Sequence, residues 1–242
     1  MKVNLAYGQG HLPIELPDDR TTVIAPSHRP GFPDEKANVL NALRAPIHAK
    51  PLREWIKKGD KICIAFTDIT RATPNDRLIP WLLEHLAEAG VERSQITLLN
   101  QVGTHRPNTA EELERLLTAD VVRNYRVINH EPENPAALRQ FGTMRDGTPA
   151  LINRHLAEAD VRIITGFIEP HFFAGFSGGI KGIIPGCGGL HSIMSNHGYK
   201  NIGDSRATFG VTVGNPLWEE LREVALRVGP SFLLNVTLNE ER

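Results

Sequence analysis

The chain has 242 residues, a formal net charge of −1, 40% hydrophobic and 23% charged residues, the composition of a globular protein with one large domain or two small ones. No basic excess or Lys/Arg run points to nucleic acid or an anionic membrane, and no apolar run approaches the length that spans a bilayer. The N-terminus lacks the apolar core of a signal peptide, and two cysteines supply no disulfide framework, which together point to a reducing, cytoplasmic setting.

In chain order, residues 2–25 read as short strands ("KVNLAY", "HLPIEL", "TTVIA") forming a small β-rich lead-in. "DEKANVLNALRAP" places Ala37, Leu40 and Leu43 at helical spacing, and Pro46 stops the helix. From residue 59 strands and helices alternate. "GDKICIAF" reads as a buried parallel strand, with Cys63 a small buried hydrophobe. A helix follows, with Thr73 as N-cap, Pro74 at N1, Pro80 as an internal kink and Gly90 at its end. "SQITLLN" is the next strand, and Thr109 and Glu112 make a capping box for the helix after it. "YRVINH" is a third strand, and Asp146-Gly147 centres a hairpin. A short helix precedes "VRIITG", and two helices follow the glycine-rich segment 169–189, where Cys187 can be exposed. The alternation predicts an α/β fold, a layered, mostly parallel sheet flanked by helices, Rossmann-like. The final run "SFLLNVTLNEER" is β-patterned with little sequence beyond it to pair or cover it. We therefore expect residues 1–230 to form one α/β domain and 231–242 to begin a truncated C-terminal one.

Three strands end in polar loops. "ICIAF" is followed by Asp68 and Arg71, "ITLLN" by His105, and "VRIITG" by His171 and the glycine loop. In a parallel sheet these loops share one edge, where ligands bind at the reversal of strand order. Asp68, Arg71, His105 and His171 should therefore converge. Each has a plainer reading. Asp68 and Arg71 can pair with each other or cap a turn, His105 can bond a backbone carbonyl, and His171 can pack in the core. Arg71 in such a loop equally suits a carboxylate or phosphate. "SGGIKG" departs from a phosphate loop because Gly182 follows Lys181, and no G-x-G-x-x-G follows the first strand. Lys181, among backbone amides, is a candidate for covalent attachment or a plain surface lysine. His197 could complete a three-histidine metal set with His105 and His171, although no local ligand spacing supports it. The remaining histidines read as surface or structural.

The segments "FTDITRATP", "GTHRPNTAEE", "EPHFFAGFSGGIKGIIPG" and "NHGY", in this order and spacing, resemble the lactate racemase family that uses the nickel-pincer nucleotide. The resemblance spans most of residues 59–201. It implies that 1–230 is the cofactor-binding domain of an isomerase, with a smaller C-terminal domain closing the site. It implies a nickel-pincer nucleotide linked covalently through Lys181, with Gly178 and Gly179 letting a flat anion approach the backbone and His197 as the protein's nickel ligand. His105 and His171 would be the acid/base pair on opposite sides of a small 2-hydroxy acid. Arg71 would grip its carboxylate, and Asp68 would orient Arg71 or a histidine. The implied partners are the substrate and the proteins that make and insert the cofactor. Two other readings remain open: a zinc-type hydrolase using the three histidines, and a non-catalytic anion-binding or sensor module on the same fold.

Overall fold

The computed structural model describes residues 1–8, 10–25 and 27–239. The chain divides at Pro30 into two units. In the first, strands β1 (Lys2–Tyr7) and β2 (Gly10–Glu15) form an antiparallel ladder that sets Val3 opposite Ile14 and Leu5 opposite Leu12. The third expected strand, at 21–25, does not form. An extended run without a partner strand has no ladder to hold it, whatever its β-propensity.

The second unit opens with α1 (Glu35–Arg44), whose N-cap Asp34 accepts from the Ala37 amide. Strand β3 (Ile62–Phe66) leads to α2 (Asn75–Glu88), which starts one residue later than the sequence suggests, with Pro74 rather than Thr73 at the cap. Pro80 lies inside α2, and Gly90 follows it with φ 82°. Next come β4 (Ile96–Asn100), α3 (Ala110–Leu117) with the expected Thr109/Glu112 capping box, α4 (Ala119–Asn124) and β5 (Arg126–Asn129). The hairpin β6 (Leu138–Thr143) and β7 (Pro149–Asn153) precedes α5 (Arg154–Ala157) and β8 (Val161–Phe167). Beyond it, β9 (Pro170–His171) and β10 (Gly175–Phe176) make a small antiparallel pair. Helices α6 (Leu190–Asn196), α7 (Tyr199–Ile202) and α8 (Pro216–Val228) lead to β11 (Phe232–Val236).

The central sheet has five parallel strands in the order β11-β8-β3-β4-β5. Of the segment 231–242, residues 232–236 pair as a strand of the main sheet, with Phe232 beside Ile163 and Val236 beside Phe167, and residues 240–242 lie outside the described residues.

Alternation along the strands divides the core in two. Ile62, Ile64 and Phe66 of β3 pack with Ile96, Leu98, Phe232 and the apolar sides of α1 to α4. Cys63 and Ala65 face the other way, toward Leu99, Ile164, the β6–β7 hairpin, α5 and α8. Cys187, which could have been exposed, is fully buried in this second cluster. Chain order runs outward from β3 through β4 to β5 and, on the other side, through β8 to β11. The order reverses between β3 and β8, and a crevice opens there at the carboxyl ends of the strands.

Candidate active site

A cavity of about 260 Å³ occupies this crevice, and Asp68, Arg71, His105, His171, Lys181 and His197 all line it. The loop after β3 brings Asp68 and Arg71, the loop after β4 brings His105, and the segment after β8 brings His171 and Lys181. His197 arrives from α6.

Asp68 is buried, and its carboxylate is fully engaged. Oδ1 accepts from the Thr70 amide at 2.7 Å and the Thr70 hydroxyl at 2.5 Å, and Oδ2 lies 2.6 Å from His105 Nδ1. A carboxylate only accepts, so His105 carries its hydrogen on Nδ1 and presents the Nε2 lone pair. Asp68 therefore orients the histidine, not Arg71. The Arg71 guanidinium forms no hydrogen bond or ion pair among the described residues; only its main-chain amide returns to the Asp68 carbonyl, at 3.1 Å. An asparagine network fixes these two loops. Asn100 donates to Asn108 Oδ1 and Asn129 Oδ1, and Asn108 Oδ1 also accepts from the Ile69 amide.

His171 is held the opposite way. Its Nδ1 accepts from the main-chain amides of Ala174 at 3.2 Å and Phe173 at 3.4 Å, so the neutral ring carries its hydrogen on Nε2. Phe173 stands edge-on between His171 and His197, with ring centroids 4.7 Å and 5.6 Å away. Burial, then the charges of Lys181, Arg71 and His197, draws the His171 pKa down to about 4. Burial and the Lys181 charge draw His197 to about 4 as well, so both rings are neutral at pH 7. His197 follows the last turn of α6, its amide bonded to the Ile193 carbonyl at 2.8 Å, and its Nδ1 is buried without a hydrogen-bond partner. Buried Glu220 braces this end of α6 by accepting from Asn196 at 2.7 Å and Asn201 at 3.1 Å.

Lys181 sits in a 310 turn, Gly179–Gly182, and its ammonium forms no hydrogen bond or ion pair among the described residues. Burial, reinforced by the Arg71 charge, lowers its pKa to about 8. The glycines around it are required chiefly by protein. Gly178 has φ 73°, and a Cβ there would lie 2.9 Å from both the Phe167 carbonyl and Asn235 Oδ1. At Gly182 a Cβ would meet the Gln101 and Ile164 side chains. At Gly179, with φ 54°, a Cβ would find only Leu233, at 4.0 Å.

The three histidines do not form a metal-binding triad. Among the described residues no three His, Cys, Asp or Glu side chains gather closely enough to share one metal ion, which removes the basis for the zinc hydrolase.

The model of the lactate racemase N-terminal domain matches residues 7–210. The chain belongs to the lactate racemase family. It is 32% identical over 240 residues to the lactate racemase of Thermoanaerobacterium thermosaccharolyticum, covering 98% of this chain and 56% of that protein. With the lactate racemase of Lactiplantibacillus plantarum it shares 31% identity over 243 residues, 95% of this chain and 57% of the other. The solved lactate racemase apoprotein from T. thermosaccharolyticum superposes with a TM-score of 0.88 at 32% identity, over all of this chain and 57% of that one. A protein from Thermotoga maritima gives a TM-score of 0.73 at 27% identity, over 89% of this chain and 54% of that one. The chain thus spans little more than half the length of these lactate racemase relatives. No helix among the described residues is long and apolar enough to cross a membrane.

Every predicted site residue lines the one cavity or its glycine turn. Sequence reading missed Asn235, whose side chain accepts from the Gly179 amide at 3.3 Å, because its segment was assigned to another domain. Phe173 was passed over as apolar filling. An Asn within a β-patterned run, next to last in β11, is the available sign for Asn235; nothing in the sequence separates Phe173 from its neighbour Phe172.

Proposed function

We propose that this chain carries the cofactor anchor and the acid/base histidines of a racemase or epimerase acting on a lactate-like 2-hydroxy acid. The carrying observation is the joint placement of two unpaired cations, Lys181 and Arg71, with two histidines held in opposite tautomers, in one crevice of a lactate racemase family member.

The residues fit a nickel-pincer nucleotide. His197 offers one neutral, metal-ready imidazole, and among the described residues it belongs to no group of three His, Cys, Asp or Glu, as suits a group that brings its own donors. Lys181 would hold the nucleotide covalently, and an amine without an acid partner is free to do so. When bound, the group would supply a reversible acceptor for the C2 hydride, which avoids pulling a proton from a carbon of very high pKa. The remaining work falls to this chain. The planar fork of Arg71 holds the substrate carboxylate. His105 takes the hydroxyl proton at Nε2, and Asp68 stabilises the imidazolium that results. His171, approaching from the glycine segment, serves the enantiomer of opposite hand. Two histidines are required because either hand can enter.

The test is the intact mass of protein produced alongside the enzymes that make the nucleotide. An adduct that disappears in Lys181→Ala is the expected result. A well-folded protein of unmodified mass would overturn the reading.

A further inference from the structure

The Lys181 amine is built into the crevice before any cofactor reaches it. It faces a small cavity, lacks an acid partner, and shares that cavity with an unpaired guanidinium and an imidazole that carries hydrogen at Nε2. Burial leaves about a tenth of the amine unprotonated at pH 7, since its pKa lies at about 8, far more than an ordinary lysine offers. An amine of this kind attacks carbonyl carbon, and the cation beside it selects carbonyls that bear a negative charge.

We infer that in the cofactor-free protein Lys181 captures small 2-oxo acids as an imine, with Arg71 holding the carboxylate. The amine nitrogen bonds to C2, and the carbonyl oxygen departs as water, carrying overall the two hydrogens of the amine. Nothing is oxidised or reduced. The neutral His171 can donate a hydrogen bond from Nε2 to the departing oxygen, which takes its protons from the amine by way of solvent. The anchor is thereby blocked reversibly by the oxidised form of a 2-hydroxy acid. The inference needs Lys181 and Arg71 as cavity groups and does not depend on nickel.

The experiment uses the chain made without the cofactor's biosynthetic enzymes, incubated with pyruvate and cyanoborohydride. We expect one addition, equal to pyruvic acid less one oxygen, with peptide mapping placing it on Lys181. Mapping in the unaltered protein needs no variant to fold. Arg71→Met should raise the pyruvate concentration needed by about tenfold or more, the loss of one charge-assisted contact. Acetone, which lacks the carboxylate, should label Lys181 far more slowly. Label spread over exposed lysines such as Lys2 and Lys50, equal labelling by acetone, or an unchanged response in Arg71→Met would each overturn the inference. Failure of the nucleotide adduct in co-production sinks the racemase reading and leaves this one standing, and the reverse also holds.

Discussion

The two edges of the central sheet handle their polar groups in opposite ways. At the amino ends of the strands most groups satisfy one another, the buried Arg162 Nε excepted. The Lys61 amide donates to the Asp160 carboxylate at 2.8 Å and the Asp160 amide to the Lys61 carbonyl at 2.9 Å. Gln95 donates to the Asp60 carbonyl at 2.8 Å, and the Asp60 carboxylate accepts from the Lys57 amide at 2.7 Å. At the carboxyl ends, among the described residues, the half-buried Lys181 and the exposed Arg71 form no side-chain hydrogen bond or ion pair, and His197 Nδ1 is buried and orphaned. A buried polar group without a partner costs stability, so an orphan beside two unpaired cations marks a surface shaped by chemistry more than by folding. Orphaning alone is not diagnostic: His85, inside α2, also has both ring nitrogens buried without partners. What distinguishes the crevice is that its unmatched groups share a cavity at the switch point.

The sharpest way to break this contrast is an assay of the racemase activity proposed above, in protein that carries the proposed cofactor. On that reading His105→Ala should lower racemisation of the 2-hydroxy acid by roughly 10²–10⁴-fold, the usual range for a general acid/base. Asp68→Asn should fall nearly as far, because an amide can donate to Nδ1 and turn the ring to the wrong tautomer. Asp160→Asn, at the quiet edge, should stay within about twofold. Steady-state assays from either enantiomer decide this, and a fully active Asp68→Asn would remove the orienting role.

A second test reads stability and runs against ordinary expectation. Lys181→Met should stabilise the cofactor-free protein at pH 7 by about 1–3 kcal/mol, because it removes an unpaired, mostly buried ammonium. The folded-state pKa is about 8, below the ordinary lysine value of 10.5. Between those values the unfolded chain binds more protons, so the wild type gains stability as pH rises from 8 toward 10.5 and the advantage of Met fades. Urea titrations across that range would show it. A variant less stable than wild type at pH 7 would mean that Lys181 has a partner after all.

Much of this was legible in the sequence. The parallel sheet followed from alternating strand and helix patterns, and the convergence of Asp68, His105 and His171 followed from three polar loops after three strands. The tautomers were not legible, because they depend on contacts across 37 residues for His105 and Asp68. The role of β11 was missed because a strand's partner is set by topology, and β8 precedes β11 by a long excursion through α6, α7 and α8. The need for Gly178 and Gly182 was visible only as pliability. That Asn235, Gln101 and Ile164 fill the space beside them is a property of the packed edge.

Asn235 offers the finest test of the contrast, because it joins the edge strand β11 to the reactive turn by one hydrogen bond of 3.3 Å to the Gly179 amide. Asn235→Ala should cost about 0.5–1.5 kcal/mol, the net value of such a bond. The loss should be local. Exchange of the Gly179 amide should accelerate by up to about tenfold, since 1.4 kcal/mol of opening free energy corresponds to that factor. Gln95→Ala at the opposite edge removes a bond of the same class, to the Asp60 carbonyl, and should leave exchange in the glycine turn unchanged. Equal effects of both substitutions on the turn would mean that the sheet opens as one cooperative unit. A selective effect of Asn235→Ala would show that the reactive edge has its own weak point, located in the turn that carries Lys181, the proposed anchor.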